Sequence, residues 1–381
     1  MPFVTVPSVL MRGGTSKGVF FAADDVPGPG PARDQLLLAA LGSPDAYGKQ
    51  LDGLGGATSS TSKAVIIAPS ARPDCDVDYL FAHIAIREGI VDYSGNCGNL
   101  SAAVGIYALE RGLVKNSRAP VAVVRVWQAN LQQRFLLHVP LDAAGRVRLD
   151  GDYTIAGVSG SGPRIAVEFL HPMLPGFTSV LPTGQVCDEL ALPDGTRVTA
   201  SLIAAGNATV FVTPAALGLR GNELPGAVTT QQALLNRVEA IRIAGALRMG
   251  LATDVSAARA RPATPKLAMV SPPCDYRSTA DAQVNAAAMD ICIRIFSMGV
   301  LHHALTATGA VAAAVAARIP GTLVQQASGN LPSAAIRLGH CAGTMEVEAR
   351  VSASGLPIAH SATLYRTART LMRGEICVRV G

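Results

Sequence analysis

The stretch Ser94-Gly95-Asn96-Cys97-Gly98-Asn99-Leu100-Ser101 places a cysteine between glycines and asparagines, where an extended segment gives way to an apolar helical pattern. A structural cysteine normally lies inside a hydrophobic run. This one lies where the free amides of a helix start can stabilise a thiolate or a substrate carboxylate. The competing reading is a small turn packed on the core. Apolar spacing predicts a helix over residues 100–109, with Gly112 as its stop and Asn96 or Asn99 as its cap or as a carboxylate ligand.

Upstream, Gly55-Gly56-Ala57-Thr58-Ser59-Ser60-Thr61-Ser62-Lys63 runs into Ala64-Val65-Ile66-Ile67, so a polar tract ends in a lysine at a strand edge. A lysine partly desolvated by an apolar run is a candidate base, and Thr58, Ser59, Ser60, Thr61 and Ser62 offer hydroxyls and amides to an oxyanion. A solvated lysine is the alternative. A cysteine and a lysine in such settings point to proton transfer and therefore to an enzyme.

Nearer the N-terminus, Arg12-Gly13-Gly14-Thr15-Ser16-Lys17-Gly18 separates two short apolar runs. Its Ser-Lys-Gly order reverses that of a phosphate loop, so it reads as a carboxylate loop carrying Arg12 and Ser16, or as a plain hairpin turn. His302 and His303 are adjacent, so they cannot share a helix face, and no acidic ligand stands beside them; they are not a metal site. His340 precedes the polar loop Cys341-Ala342-Gly343-Thr344. No nucleophile elbow, dinucleotide fingerprint or HExxH sequence occurs, which predicts chemistry without a bound cofactor or metal.

Bulk properties bound the class. At 381 residues the chain is long for one core, which predicts two domains. The net charge of +5 is carried mostly by scattered arginines; Lys17, Lys49, Lys63, Lys115 and Lys266 are the only lysines. Nucleic-acid binding needs a concentrated patch, so small anionic substrates fit this charge better. Seven cysteines without CxxC pairs argue for reduced thiols and a cytoplasmic protein, against a disulfide scaffold or zinc site. The N-terminus lacks a signal pattern, and the Ala-rich run 304–317 is too short to span a bilayer, so no membrane partner is expected.

Short strands are expected at 4–11, 65–67, 77–86 (with helix as rival), 121–126, 135–139, 147–149 and 165–169. A boundary follows at Leu181-Pro182-Thr183-Gly184. The second half reads as strands at 209–213, 266–270, 323–327, 345–351 and 375–380. Helices are expected at 231–246, 290–295 and 301–318. Each half thus carries short strands and one Ala-rich helix. The fold class is α+β, with two similar domains, 1–185 and 186–381, each a curled β-sheet wrapped around a central helix, and a cleft between them.

The chain resembles the PrpF family of cofactor-independent isomerases, which share the diaminopimelate-epimerase-like fold. The resemblance rests on Met11-Arg12-Gly13-Gly14-Thr15-Ser16-Lys17-Gly18-Val19-Phe20-Phe21, the tract from Gly55 to Lys63, Asp76-Val77-Asp78-Tyr79-Leu80-Phe81 and the run from Ser94 to Gly105. It continues through Trp127-Gln128-Ala129-Asn130, Pro265-Lys266, Ser271-Pro272-Pro273, Ser297-Met298-Gly299 with His302-His303, and Arg366-Thr367-Ala368-Arg369. It implies isomerisation of an unsaturated di- or tricarboxylic acid: loss of an allylic proton, an enolate-like anion, and reprotonation. Lys63 falls on the family's catalytic lysine and is the expected principal base, with Cys97 as partner. Arg12, Ser16, residues Thr58 to Ser62, Asn96, Gly98, Asn99, Met298, Gly299, His303, His340 and Gly343 are the implied substrate contacts.

Ser297-Met298-Gly299 would be the second-half helix start, and Met298 cannot move a proton as the second cysteine of the fold's amino-acid epimerases does. Cys341-Ala342 replaces the family's Pro-Ser. Within the family, methylaconitate isomerases beside a propionate-degrading methylcitrate pathway are the nearest match, with oxalomesaconate tautomerase second. A non-catalytic carboxylate-binding or enzyme-partner protein is the reading from another class. A homodimer is left open.

Overall fold

The computed structural model describes residues 3–379 except 94, 116, 330, 332–334 and 353–354. The chain divides into two units, Met1–Glu168 with Tyr365–Gly381, and Phe169–Leu364. The division therefore differs from the expected one at Leu181–Gly184. The physical reason is the C-terminal strand Ala368–Arg379, which pairs antiparallel with β1 (Phe3–Gly13) from Phe3 opposite Arg379 to Gly13 opposite Ala368. Backbone ladder bonds tie the chain end to its start, and no local change of composition marks such a return. Position 380 of the expected last strand lies outside the described residues.

In the first unit β1 continues through β2 (Ser16–Ala22), β3 (Lys63–Pro69), β4 (Val77–Ile84), β5 (Val121–Gln128) and β6 (Gln133–Pro140), each paired with the next. In β5, exposed Val121, Val123 and Arg125 alternate with buried Ala122, Val124 and Val126, the signature of a half-buried strand. Helix α1 (Pro31–Leu41) starts on a proline and stops at Gly42 in the left-handed region. Helix α2 (Ser101–Glu110) is buried continuously from Ser101 to Ala108. It packs on β1, on β6 and on the C-terminal strand, at opposite ends of the strand order, so the sheet curls around it. Small residues make this approach feasible. A Cβ on Gly105 would lie 2.7 Å from Val139 and 3.0 Å from Leu137.

The second unit repeats the plan with β7 (Arg197–Ala205), β8 (Asn207–Val212), β9 (Lys266–Ser271), β10 (Ile291–Ser297), β11 (Ile336–His340) and β12 (Gly343–Ser352). Helix α3 (Gln232–Arg248) corresponds to α1. Helix α4 (Ala307–Ala317), buried at every position, corresponds to α2 and packs on β7, β8 and β12. The pairing senses match in order: antiparallel, parallel, antiparallel, parallel, antiparallel. These two curled sheets around central helices are the α+β architecture expected from the sequence.

Four local expectations fail. The helix expected at 290–295 is instead strand β10 from Ile291, because a short apolar run lacks the periodicity to choose, and pairing with β9 and β11 decides it. Residues 323–327 form helix α5 (Leu323–Ser328), whose Gln325 N–H is capped by the Thr322 hydroxyl. The helix expected from 301 starts only at Ala307, capped by Thr306. Around 147–149 there is one isolated bridge, Leu141 to Val147. No helix among the described residues is long and apolar enough to cross a membrane.

Gly105→Val tests the curled packing. Overfilling the helix–sheet contact at Val139 and Leu137 is expected to destabilise the protein by about 1–3 kcal/mol, read as a lower urea midpoint. An unchanged midpoint would show that α2 is not held this tightly.

Candidate active site

Cys97 sits four residues ahead of the first residue of α2, and it does the capping that the flanking asparagines were expected to do. No side chain caps this helix in the usual way. The Cys97 sulfur accepts the Leu100 N–H at 3.5 Å, and its carbonyl accepts the Ser101 N–H at 3.0 Å, the Ser101 hydroxyl at 3.1 Å and the Tyr79 hydroxyl at 3.4 Å. Asn99 turns to the β1–β2 loop, where its Nδ2 donates to Thr15 Oγ1 at 3.0 Å. A Cβ on Gly13 would meet the Asn99 carbonyl at 2.6 Å, so this loop can lie against the helix start only without a side chain there. Gly98 is buried beside Cys97, and the Asn96 Oδ1 is buried with no hydrogen-bond partner among the described residues. Ser94 lies outside the described residues.

Lys63 opens β3, and its Nζ lies 3.2 Å from Cys97 Sγ and 3.0 Å from Ser16 Oγ, on the parallel neighbour β2. The Cys97 sulfur lies 3.7 Å from the same Ser16 hydroxyl. Three residues scattered over 81 positions thus form one triangle. Burial pushes the Cys97 thiol up, but the Lys63 ammonium, the Leu100 N–H and the Ser16 hydroxyl together outweigh it, and the thiol is held below its ordinary value. The arrangement is a lysine–cysteine pair with a shared hydroxyl, in which the lysine favours the thiolate form, a set that can accept a proton at one atom and return it from another.

Arg12 is not aimed at this triangle. Its guanidinium donates to the carbonyls of Gly14 at 3.0 Å and Thr367 at 2.9 Å, tying the β1–β2 loop to the chain end. Thr58 and Thr61 bond each other through their hydroxyls at 2.8 Å and close their own turn, while exposed Ser59 projects from it. The Ser60 carbonyl accepts the Lys17 N–H at 2.9 Å, which docks the turn on β2. Ser62 is wholly buried, bonded to Gln50 and to the Ile84 carbonyl.

A second buried cation at the helix head is Arg366, to which the sequence patterns assign no role. Its Nε donates to Asn99 Oδ1 at 3.0 Å and its Nη1 to the Tyr365 carbonyl at 2.8 Å. Burial lowers this guanidinium to about 10, opposed by the charges it feels from Tyr153 and Cys97. Arg366 lies 269 positions from Cys97, so only the return of the chain end delivers it; the sole signal in the sequence is the motif Arg366-Thr367-Ala368-Arg369.

The second-unit residues form a separate set. Met298 and Gly299 are not a helix start. Both take positive φ in the turn between β10 and the short strand Val300–Leu301. His303 is exposed and stacks on His302 at 4.6 Å. His340 is buried, accepts the Ala342 N–H at Nδ1 and pairs with Gly343 across the β11–β12 hairpin. Cys341 is fully buried, and burial pushes its thiol up, so it fills core space. No group of three or more His, Cys, Asp or Glu among the described residues is placed to hold a metal ion. A cavity of about 1070 Å³ at the far end of α2, lined by Tyr107, Glu110, Arg111 and Arg373, includes neither Lys63 nor Cys97.

The family model described as PrpF protein matches residues 3–379. The chain belongs to the PrpF family. Two 2-methyl-aconitate isomerases, from Shewanella oneidensis and Cupriavidus necator, are each 45% identical to this PrpF protein over 99% of its length and 98% of their own. A 4-oxalomesaconate tautomerase of Pseudomonas putida is 39% identical, covering 98% of this chain and 96% of its own. Among solved structures, methylitaconate-delta-isomerase superposes with a TM-score of 0.83 at 35% identity, covering 99% of this chain and 96% of that one. The relatives are isomerases, and this chain is one.

Thiolate absorbance near 240 nm tests the electrostatics. Lys63→Met is expected to move the Cys97 titration to higher pH, because the ammonium is the strongest influence holding it down. With a folded-state value below the unfolded one, Cys97 contributes stability above its unfolded value and loses it as pH falls through the folded one. An unmoved titration in Lys63→Met would show that the ammonium does not govern the thiol.

Proposed function

We propose that the protein is a 2-methylaconitate cis-trans isomerase. The observation that carries this reading is the Lys63–Ser16–Cys97 triangle, in a chain aligned end to end with 2-methyl-aconitate isomerases at 45% identity. The reaction needs one base, one acid and stabilisation of a delocalised anion, with no co-reactant. The Cys97 thiolate takes an allylic C–H proton; the electron pair spreads over the former double bond into a carboxylate. Rotation about the bond that is now single, then return of the proton to carbon from the Lys63 ammonium, gives the geometric isomer. Transfer of the thiol proton to the neutral amine across 3.2 Å restores the starting pair. This reading gives the accepting role to Cys97 in place of Lys63, the expected base; the 3.2 Å contact of the Cys97 sulfur with Lys63 Nζ and the lowered thiol support it. Arg366 and the helix-start amides supply positive charge for the anion.

A tautomerase acting on 4-oxalomesaconate uses the same proton-transfer pair, and the 39% identical relative from Pseudomonas putida favours it as the second reading. One methyl group gives only modest discrimination, so substrate choice is decided by experiment. Proton NMR of the purified protein with each acid separately is the test. Conversion of 2-methylaconitate is expected. Conversion of 4-oxalomesaconate alone would transfer the protein to the second reading, and conversion of neither, with no uptake of solvent deuterium, would leave a binding protein.

The roles separate by charge. Cys97→Ala is expected to lose about a thousandfold in kcat, whereas Lys63→Arg, which keeps the cation, loses about a hundredfold or less. Near-normal turnover by Cys97→Ala, with none by Lys63→Arg, would return the accepting role to Lys63. Arg366→Met is expected to lower kcat by about a hundredfold; a wild-type kcat would remove Arg366 from the anion site.

A further inference from the structure

Strand β4 has β3 along one edge and two partners along the other, with a gap between those two. β5 runs parallel to β4 as far as Tyr79, opposite Gln128, and the Ala129 N–H adds a last bond to the Tyr79 carbonyl at 2.9 Å. The short strand Val91–Asp92 takes up the same edge at His83, opposite Asp92. Phe81 stands between the two registers. The Asn130 side chain fills this gap. Its Oδ1 accepts the Phe81 N–H at 2.9 Å and its Nδ2 donates to the Phe81 carbonyl at 2.8 Å, as the backbone of a strand would. Nδ2 also donates to the Tyr93 carbonyl at 2.7 Å, and Gln128 Nε2 donates to Oδ1. Both donors and both lone pairs of the amide are thus used, which fixes its orientation. Gln128 is buried and held in turn, because its Oε1 accepts the Leu131 N–H at 2.6 Å.

Both groups that Asn130 holds lead to the proton-transfer pair. Side chains alternate along a strand, so Tyr79 and Phe81 face the same side of β4. Tyr79 bonds the Cys97 carbonyl, and the buried Phe81 ring has Lys63 Nζ over it, 5.8 Å from the ring centre. An ammonium so placed is attracted to the negative face of the ring. Tyr93, four residues before Cys97, sets where the chain leaves the sheet towards the thiol. Its hydroxyl is tied to Asp34 of α1 at 2.7 Å. Movement of either arm changes the 3.2 Å separation of Lys63 and Cys97, and proton transfer falls steeply with misplacement of its partners.

We propose that Asn130, oriented by Gln128, is a positioning residue for the Lys63–Cys97 pair. One amide sets both the ring that faces the lysine and the segment that leads to the cysteine. It acts through Phe81 and Tyr93 and binds no substrate. The inference rests on the function proposed above for its kinetic readout alone.

In Asn130→Ala the Cys97 titration is followed by thiolate absorbance near 240 nm against a Cys97→Ala control. It is expected to move to higher pH, in the direction of Lys63→Met and by less. With the acid that the wild type converts, kcat is expected to fall about ten- to a hundredfold while KM stays within about threefold. A residue that only supports the fold would lower the urea midpoint and leave both readings unmoved. An unmoved titration, an unchanged kcat, or a loss confined to KM, each in folded Asn130→Ala, would overturn the assignment. Phe81→Leu keeps an apolar side chain, removes the ring, and covers the case in which Asn130→Ala fails to fold. Its Cys97 titration is also expected to rise, and an unmoved one would overturn the inference. Failure of the functional proposal looks different: the wild type isomerises neither acid, while the titration still separates Asn130→Ala from the wild type.

Discussion

A helix buried from its first residue through Ala108 leaves the amides of its first turn without water, and the site in the first unit is built around that constraint. The Leu100 and Ser101 N–H groups at the head of α2 are satisfied by Cys97, through its sulfur and its carbonyl, and not by a conventional capping side chain. A sulfur held against helix-start amides is biased toward thiolate. A thiolate out of water needs a counter-charge, which Lys63 supplies at 3.2 Å. The pair and its reactivity follow from placing a helix start in the protein interior. Tyr79 and Ser101 then fix the Cys97 backbone by bonding its carbonyl, so the sulfur is held on a rigid element.

The sheet that encloses α2 is closed by the last strand of the chain, and this gives the C-terminal segment chemical weight. Pairing of Ala368–Arg379 with β1 carries Arg366 to Asn99, and Asn99 in turn bonds Thr15. Arg12 serves the same junction from the other side by bonding the Thr367 carbonyl. Two arginines thus divide the work: one holds the loop and chain end together, and one sets its charge near the thiol. The second unit has the same strand order and a matching buried helix, but not the thiol. One backbone plan places Lys63 beside a thiol in one copy and Lys266 beside the Ser297 hydroxyl in the other, because strand register sets where a side chain stands while its identity sets its chemistry.

Residues in local patterns are legible in the chain itself. The break from extended to helical periodicity around Cys97 announces α2, and the polar tract ending at Lys63 announces the edge of β3. The two Ala-rich helices announce cores that sheets must wrap. Legibility ends where pairing decides. Ile291–Ser297 carries no periodicity that separates strand from helix, and the Met298–Gly299 turn exists because β10 pairs with Val300–Leu301. The asparagines beside Cys97 have the composition of caps, yet the cysteine caps the helix itself.

Amino-acid order alone settles the family, the two-unit α+β plan, and the residue types available for proton transfer, because these depend on short-range periodicity and on motifs read in order. Folding in three dimensions decides that Ser16, Lys63 and Cys97 meet, that Arg366 and not Arg12 lies near the thiol, and that Lys266 repeats the position of Lys63. The reason is physical: hydrogen-bond ladders between distant strands set these neighbours, and no local stretch of chain encodes which strand will lie beside it.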